Sequence, residues 1–486
     1  MPSPLPDRTS GPVATALQAL PEAVFAMAAA LLTLACAQWL APGAGSAVLA
    51  VVLSLALARS RLARSRLDRD RRGRIEAAVA LPLVGLAATG VGLLLRDQPW
   101  IGAAAFTAGI ALSVWLRQFG AWARRAARLI ALPFVTVLTV PHLAASGHGP
   151  LPPALVPVAV ALLALCWVSL LDALGRRLHW LHDIDTPAAQ PPQPRPRPAG
   201  DKRLSATSRM AVQMALALAL AFAAGHLAFG VHWPWVVITA FIVHSGNRGR
   251  GEVAWKSLLR LGGAAIGTLA AAALSAAAMR SGHAAAAWIL GALFLGTWLR
   301  SLNYAWWALF VTLALALLRG WAGLPADAAM AERLLAIATG AALGVAVAWL
   351  VLPVRSTDVL RRRLADALAA LGEALDPDLA PRSAVPFMHA LDAVESLAPA
   401  FRATHMLGLR PTWRQPADWI DALAVCRAPA TALIDRGATP GSVRRAVGTA
   451  RKALRDPERL LPALEGLRGA LEAAGEPATQ RVREPG

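Results

Sequence analysis

Residues 233–275 read WPWVVITAFIVHSGNRGRGEVAWKSLLRLGGAAIGTLAAAALS. Two apolar runs flank a short connector, His244 to Lys256, that carries Asn247, Arg248, Arg250 and Glu252. Arg260 then opens a second run spaced with Gly262, Gly263 and Gly267. An apolar run of about 20 residues matches the hydrocarbon core of a bilayer. The polar break therefore reads as a turn at a membrane surface, and Arg260 as a charge about one helical turn inside the span that follows.

The same pattern extends along the chain. Of 486 residues, 56% are hydrophobic and only 16% charged, with a mean hydropathy of +0.50; soluble domains carry about 25% charged residues. Twelve apolar segments cover 22–40, 45–58, 75–95, 100–116, 129–145, 153–172, 210–229, 233–245, 258–279, 285–299, 303–319 and 332–352. The expected fold is all-α: a polytopic membrane protein of about twelve transmembrane helices, followed by a cytoplasmic helical domain. Segments 45–58 and 233–245 are short for a full crossing and are expected to be broken, re-entrant or extended by their neighbours. The opening residues 1–21 lack a basic start, a short apolar core and a small-residue cleavage site, so the first span is expected to be its own insertion signal.

Charge sets the expected sidedness. The loop RSRLARSRLDRDRRGR (59–74) holds eight arginines. Later even-numbered connectors carry Arg117, Arg124, Arg125 and Arg128, then Arg176, Arg177, Lys202 and Arg203, then Arg248, Arg250 and Lys256. Odd-numbered connectors offer little beyond Arg96, Arg280 and Arg319. Cytoplasmic loops are enriched in Lys and Arg, which places both termini in the cytoplasm. The net charge of +19 has the same origin: residues 1–354 hold 29 basic against 13 acidic residues, and 355–486 hold 19 against 16. The excess maps onto membrane loops, which argues against nucleic acid as a partner. Trp39, Trp100, Trp233, Trp235, Trp288 and Trp321 stand near segment ends, where indoles favour the headgroup level.

The segments divide as an N-terminal cytoplasmic segment (1–21), a six-helix repeat (22–172), a linker (173–208), a second six-helix repeat (209–353), a cytoplasmic helical domain (354–474) and a disordered tail (475–486). Six spans per half return the chain to the same side, which makes the halves parallel repeats. The linker core TPAAQPPQPRPRPAG (186–200) has six prolines in fifteen residues and reads as a semi-rigid spacer. Amphipathic patterns over 356–380, 384–400, 416–436, 440–453 and 457–474 make up the terminal domain.

Chemistry-bearing motifs are sparse. Glu22, Glu76, Asp172 and Glu332 lie at span edges, so no carboxylate relay crosses the membrane centre. Cys36, Cys166 and Cys426 have no metal-binding spacing. The cluster HWLHDID (179–185) has metal-like ligands, but no second set accompanies it. No catalytic pattern is present, and neither cofactor nor metal is expected. Gly262, Gly263, Gly267, Gly340 and Gly344 read as helix-packing faces. Gln38, His142, Gln213, His226, Thr239, Asn303, Tyr304 and Thr312 are the polar groups at depth, with interhelical hydrogen bonding the commoner role for each.

Four stretches, WVVITAFIVHSGNRGRG (235–251), RLGGAAIGTLAA (260–271), LNYAWWALFVTLALALL (302–318) and ERLLAIATGAALGVAVAWLVLP (332–353), resemble the bacterial fusaric-acid-resistance or aromatic acid exporter family. Longer members of that family carry a soluble insertion where this chain has its Pro-rich linker. The resemblance implies a multi-pass transporter of the inner (plasma) membrane that exports aromatic carboxylates or other small organic anions. A passive anion channel gated by the terminal domain, or a membrane scaffold, are the alternatives. On this basis the expected pathway residues are Arg260, Arg248, Asn247, His244, Asn303, Tyr304, Trp307 and Thr312. The Arg260 guanidinium suits bidentate carboxylate binding, and Trp306 or Trp307 suits stacking on an aromatic ring. Apart from lipid and a small organic anion, the sequence names no partner.

The sidedness is directly testable. A single cysteine at position 190 in an otherwise cysteine-free chain is expected to react with maleimide only from the cytoplasmic side; labelling from outside intact cells would overturn the topology.

Overall fold

A computed structural model describes residues 12–59, 71–119, 155–181, 205–246, 249–278, 282–321, 327–378, 382–406, 416–438 and 440–475, with isolated positions at 123, 127, 130, 134, 138 and 152. Regular structure among the described residues is entirely helical. They form two compact units. One lies within Met1–Ile184, Arg203–Gly246 and Lys256–Leu352, the other within Asn247–Trp255 and Pro353–Gly486.

The first unit contains α1 (Pro12–Leu40), α2 (Ala44–Arg59), α3 (Arg71–Asp97), α4 (Pro99–Leu116), α5 (Val156–Arg177), α6 (Ala206–Ala228), a 3-10 turn (Gly230–His232), α7 (Trp233–His244), α8 (Arg250–Ala278) from Lys256 onward, α9 (Gly282–Leu299), α10 (Tyr304–Trp321) and α11 (Asp327–Leu350); the first residues of α8 belong to the second unit. Local chemistry sets several boundaries. Prolines occupy the first turn of α4, α5 and α7, where their missing N–H costs nothing. The Ser205 hydroxyl accepts the Ser208 N–H at 2.9 Å to cap α6. Among the described residues, six helices are long and apolar enough to cross a bilayer alone, and α2, α7, α9 and α10 are shorter apolar helices. Ten of the twelve expected segments thus coincide with apolar helices among the described residues, six of them of sufficient length and four short. Segment 129–145 falls largely outside the described residues.

Apolar surface separates the two units physically. The membrane unit turns large hydrophobic side chains outward along its helices, among them Leu83, Ile101, Leu170, Leu220, Leu269 and Leu335. Such a surface is stable in hydrocarbon and is a liability in water. Trp39, 80% exposed, and half-exposed Trp100 and Trp288 keep the expected outward position. Trp233 does not: it is buried, its ring 5.5 Å from that of Phe222.

That aromatic packing joins helices of the two expected halves. Phe106 of α4 meets Phe134 at 5.7 Å and Phe222 of α6 at 5.5 Å, and Phe222 in turn meets Trp233 of α7. One apolar core therefore draws on α3, α4, α6, α7 and α11 together. A second tie joins α9 to α1, where the Trp298 indole N–H donates to the Ala16 carbonyl at 2.7 Å. Side chains from both sequence halves interlock within one unit.

The second unit holds α12 (Ser356–Ala374), α13 (Val385–Glu395), α14 (Ala398–Met406), α15 (Pro416–Val425), α16 (Arg427–Asp435), α17 (Gly441–Ala453) and α18 (Pro457–Gly475). Two segments read as single helices, 384–400 and 416–436, are each broken into a pair. Leu360, Leu364, Leu368 and Leu371 of α12 and Leu460, Leu464, Leu467 and Leu471 of α18 fall at helical spacing on inward faces. Val425 is the one large hydrophobic side chain left exposed among the described residues of this unit, as a water-facing bundle requires.

Arg427, at the start of α16, donates to Asp392 at 2.9 Å and Glu395 at 2.8 Å on α13. Its neighbour Cys426 is fully buried, and burial pushes the thiol up to about 11. A raised thiol value means stability that is fully present below the unfolded thiol's pKa of about 8.5 and is lost as pH climbs toward the folded value. With Cys36 and Cys166 replaced by alanine, Cys426 is expected to label only when the bundle opens. Arg427→Ala removes a half-screened ion pair worth about 1 kcal/mol, so labelling, normalised to the unfolded chain, should quicken about fivefold.

Candidate functional site

The polar break between α7 and α8 is built by two constraints on backbone. Gly246 follows the end of α7 with φ +75, a left-handed conformation that favours glycine. At the start of α8, a Cβ on Gly249 would come 2.8 Å from the Ser356 hydroxyl and 3.0 Å from its Cα. The Gly251 N–H donates to the Ser356 hydroxyl at 3.0 Å, and the Arg250 N–H to the Val354 carbonyl at 3.2 Å. The first turn of α8 is thereby pinned to the start of α12.

α8 then presents a buried stripe at Val253, Ser257, Arg260, Ala264, Thr268 and Ala271, the spacing of one helix face. Leu258, Ile266 and Leu269 face outward. Arg260 is the charged member of the buried stripe, 2% exposed and the largest fully buried side chain of the described structure. Its Nε has no hydrogen-bond partner among the described residues. Burying a guanidinium without a counterion costs several kcal/mol.

α8 crosses α10 next to this charge. A Cβ on Gly263 would lie 2.6 Å from the Ala305 carbonyl oxygen and 2.8 Å from the Ala308 Cβ, and one on Gly267 would meet the Leu309 carbonyl and the Thr312 Cβ. Register advances in the same direction on both helices, so they run parallel. Arg260, one turn before Gly263, therefore stands level with the start of α10. Gly340 and Gly344 of α11 form the same kind of seam on α7, against Val236, Thr239, Val243 and His244. Gly262, expected to pack, points into open space.

The other expected residues divide into those near the crossing and those that serve the scaffold. Lys256, one turn before Arg260, donates to the Ser245 carbonyl at 2.6 Å and lies 5.8 Å from the Tyr304 ring centroid. The Tyr304 hydroxyl and the Thr312 Oγ1 are both buried without a partner among the described residues. Thr33, Thr268 and Thr297 instead bond back to the carbonyl four residues earlier, so the unsatisfied Thr312 is not a general habit of this unit's threonines. His244 directs Nδ1 to the Ala240 carbonyl at 3.3 Å and leaves Nε2 buried and unpartnered. Asn303 is exposed and accepts the Ala305 N–H at 3.1 Å, the role of an N-cap. Trp307 packs over Gly296 of α9, and Trp306 is exposed beside Phe310. Asn247 and Arg248 lie outside the described residues, as do His182, Asp183 and Asp185 of the metal-like cluster.

Gln213 donates to the Val351 carbonyl at 2.7 Å, tying α6 to the end of α11. The sequence did not single out Arg333 of α11. It is 3% exposed, with its guanidinium carbon 3.9 Å from the Trp235 ring centroid. His232 pairs with Glu332 beside it at 3.0 Å. The seven- and eleven-residue steps from Arg333 to Gly340 and Gly344 put it on the packing face of α11, a signal present in the sequence.

Residues 215–347 match the family model described as fusaric acid resistance protein-like. The matched stretch runs from within α6 into α11 and holds Arg260, Tyr304, Thr312 and both glycine seams. No curated protein and no solved structure matches the chain.

The seams give a clean contrast in the fusaric acid resistance protein-like segment. Gly267→Ala forces a methyl into the α10 backbone and should cost roughly 1–3 kcal/mol. Gly262→Ala fills open space and removes a helix glycine, a gain of up to about 1 kcal/mol. Thermal melts in one detergent should move in opposite directions; parallel shifts would remove the seam.

Proposed function

We propose that this multi-pass membrane protein is a transporter that exports small organic anions, aromatic carboxylates foremost, with Arg260 as the carboxylate-binding residue. The observation that carries this reading is a guanidinium fully buried in a membrane unit with its Nε unsatisfied. An isolated buried charge is retained where an oppositely charged species neutralises it during function. A carboxylate supplies that charge, and the planar fork of arginine binds it in bidentate fashion.

The surroundings support the same ligand. The N-terminus of α10, level with Arg260, is the positive end of a helix dipole. The Tyr304 hydroxyl beside it and the Thr312 hydroxyl two turns further along α10 are additional donors for an anion leaving Arg260. Lys256 adds positive charge one turn nearer the start of α8. Outward direction and the aromatic class rest on the family resemblance.

The test is benzoate flux into proteoliposomes at matched protein incorporation. Arg260→Lys keeps charge but loses the fork and should lower flux about tenfold; Arg260→Gln should lower it at least as far, and Arg260→Glu should abolish it. Wild-type flux in Arg260→Gln would move the pathway elsewhere.

A further inference from the structure

The charge of the second unit is concentrated on one helix face. Residues 436–455 hold six basic and no acidic residues, while the rest of 355–486 holds 13 basic against 16 acidic. α17 buries Val443, Val447, Ala450 and Ala453 against its own bundle. Arg444, Arg445, Arg451 and Lys452 are exposed, and Arg455 just beyond α17 extends the band.

Helical geometry makes these residues one surface. Arg444 and Arg451 are seven apart, as are Arg445 and Lys452, so two adjacent stripes form a band about 100° wide. None of the five basic side chains meets a carboxylate among the described residues, in contrast to Arg402, Arg427, Arg459 and Arg468 of the same unit. Arg445 donates only to the Gly441 carbonyl of its own helix. Gly448 lies at the centre of the band with open space around it, so no bulky side chain keeps a flat partner away. An ordinary solvated face mixes both signs; α17 itself carries no acidic residue.

We propose that the α17 face is a docking surface for anionic phospholipid headgroups of the bilayer that holds the first unit. The polybasic band, unpaired and with an apolar back committed to its own core, fits a surface of many phosphates. The chain supplies proximity: only residues 351–355 separate α11 from α12, so the unit meets a lipid surface at high effective concentration. A nucleic acid or an acidic protein would need the same charge but lacks that tether. The proposal depends on membrane embedding and not on the transported substrate.

The experiment uses the full chain with Cys36, Cys166 and Cys426 changed to alanine and one cysteine introduced, either Gly448→Cys within the face or Gly469→Cys, an open position on α18. Each is labelled with a fluorophore in nanodiscs of phosphatidylcholine, with or without phosphatidylglycerol, and quenched by acrylamide. Phosphatidylglycerol should protect position 448 about threefold and leave 469 unchanged, and high salt should remove the protection. Arg444→Glu, Arg445→Glu, Arg451→Glu and Lys452→Glu together should abolish it. The corresponding four glutamine changes should weaken it, and they decide the matter if the glutamate variant loses its helical circular dichroism. Equal quenching in both lipids, protection that survives charge removal, or protection by added RNA without phosphatidylglycerol would overturn the proposal.

Discussion

A buried charge with no partner among the described residues, Arg260, organises the membrane unit. Arg260 occupies a place in the buried stripe of α8 that helical periodicity reserves for an apolar side chain. It stays there because the helix cannot turn away: Gly263 and Gly267 lock α8 against the backbone of α10, and the first turn of α8 is pinned at Ser356. A rotation that released Arg260 would break the seam. The energy of close packing thus holds in place a charge that solvation alone would expel.

Two glycine seams, α8 on α10 and α11 on α7, share one logic. Lipid tails provide no hydrophobic drive between helices, so association depends on close backbone approach. Each seam ends near a threonine whose hydroxyl is buried and unsatisfied, Thr312 on α10 and Thr239 on α7. Polar atoms left unpaired at depth are costly, and in a transporter they are where a moving ligand finds temporary partners.

Much of this is legible in the sequence because it depends on local pattern. The break after His244, the inward position of Arg260 and the packing role of Gly263, Gly267, Gly340 and Gly344 follow from spacing and residue type. What is not legible depends on partners distant in sequence. Trp233 and Trp235 look like headgroup anchors until Phe222 and Arg333 are placed beside them. Asn303, one position before α10, also caps that helix, and Trp307 packs over Gly296, contacts that depend on the helix start and on α9. Apolar periodicity likewise identifies a buried face without identifying what covers it, so the packing of α4 on α6 and of α9 on α1 is not legible.

The central claim is that Arg260 is an uncompensated charge in the ligand-free protein. Its most direct measurement is the melting temperature of Arg260→Met in detergent, with and without benzoate. Methionine keeps the volume and removes the buried charge, so the account predicts a variant that melts higher than wild type without ligand, whereas benzoate raises the wild type alone. A variant that melts lower than wild type, or that responds to benzoate equally, would contradict it.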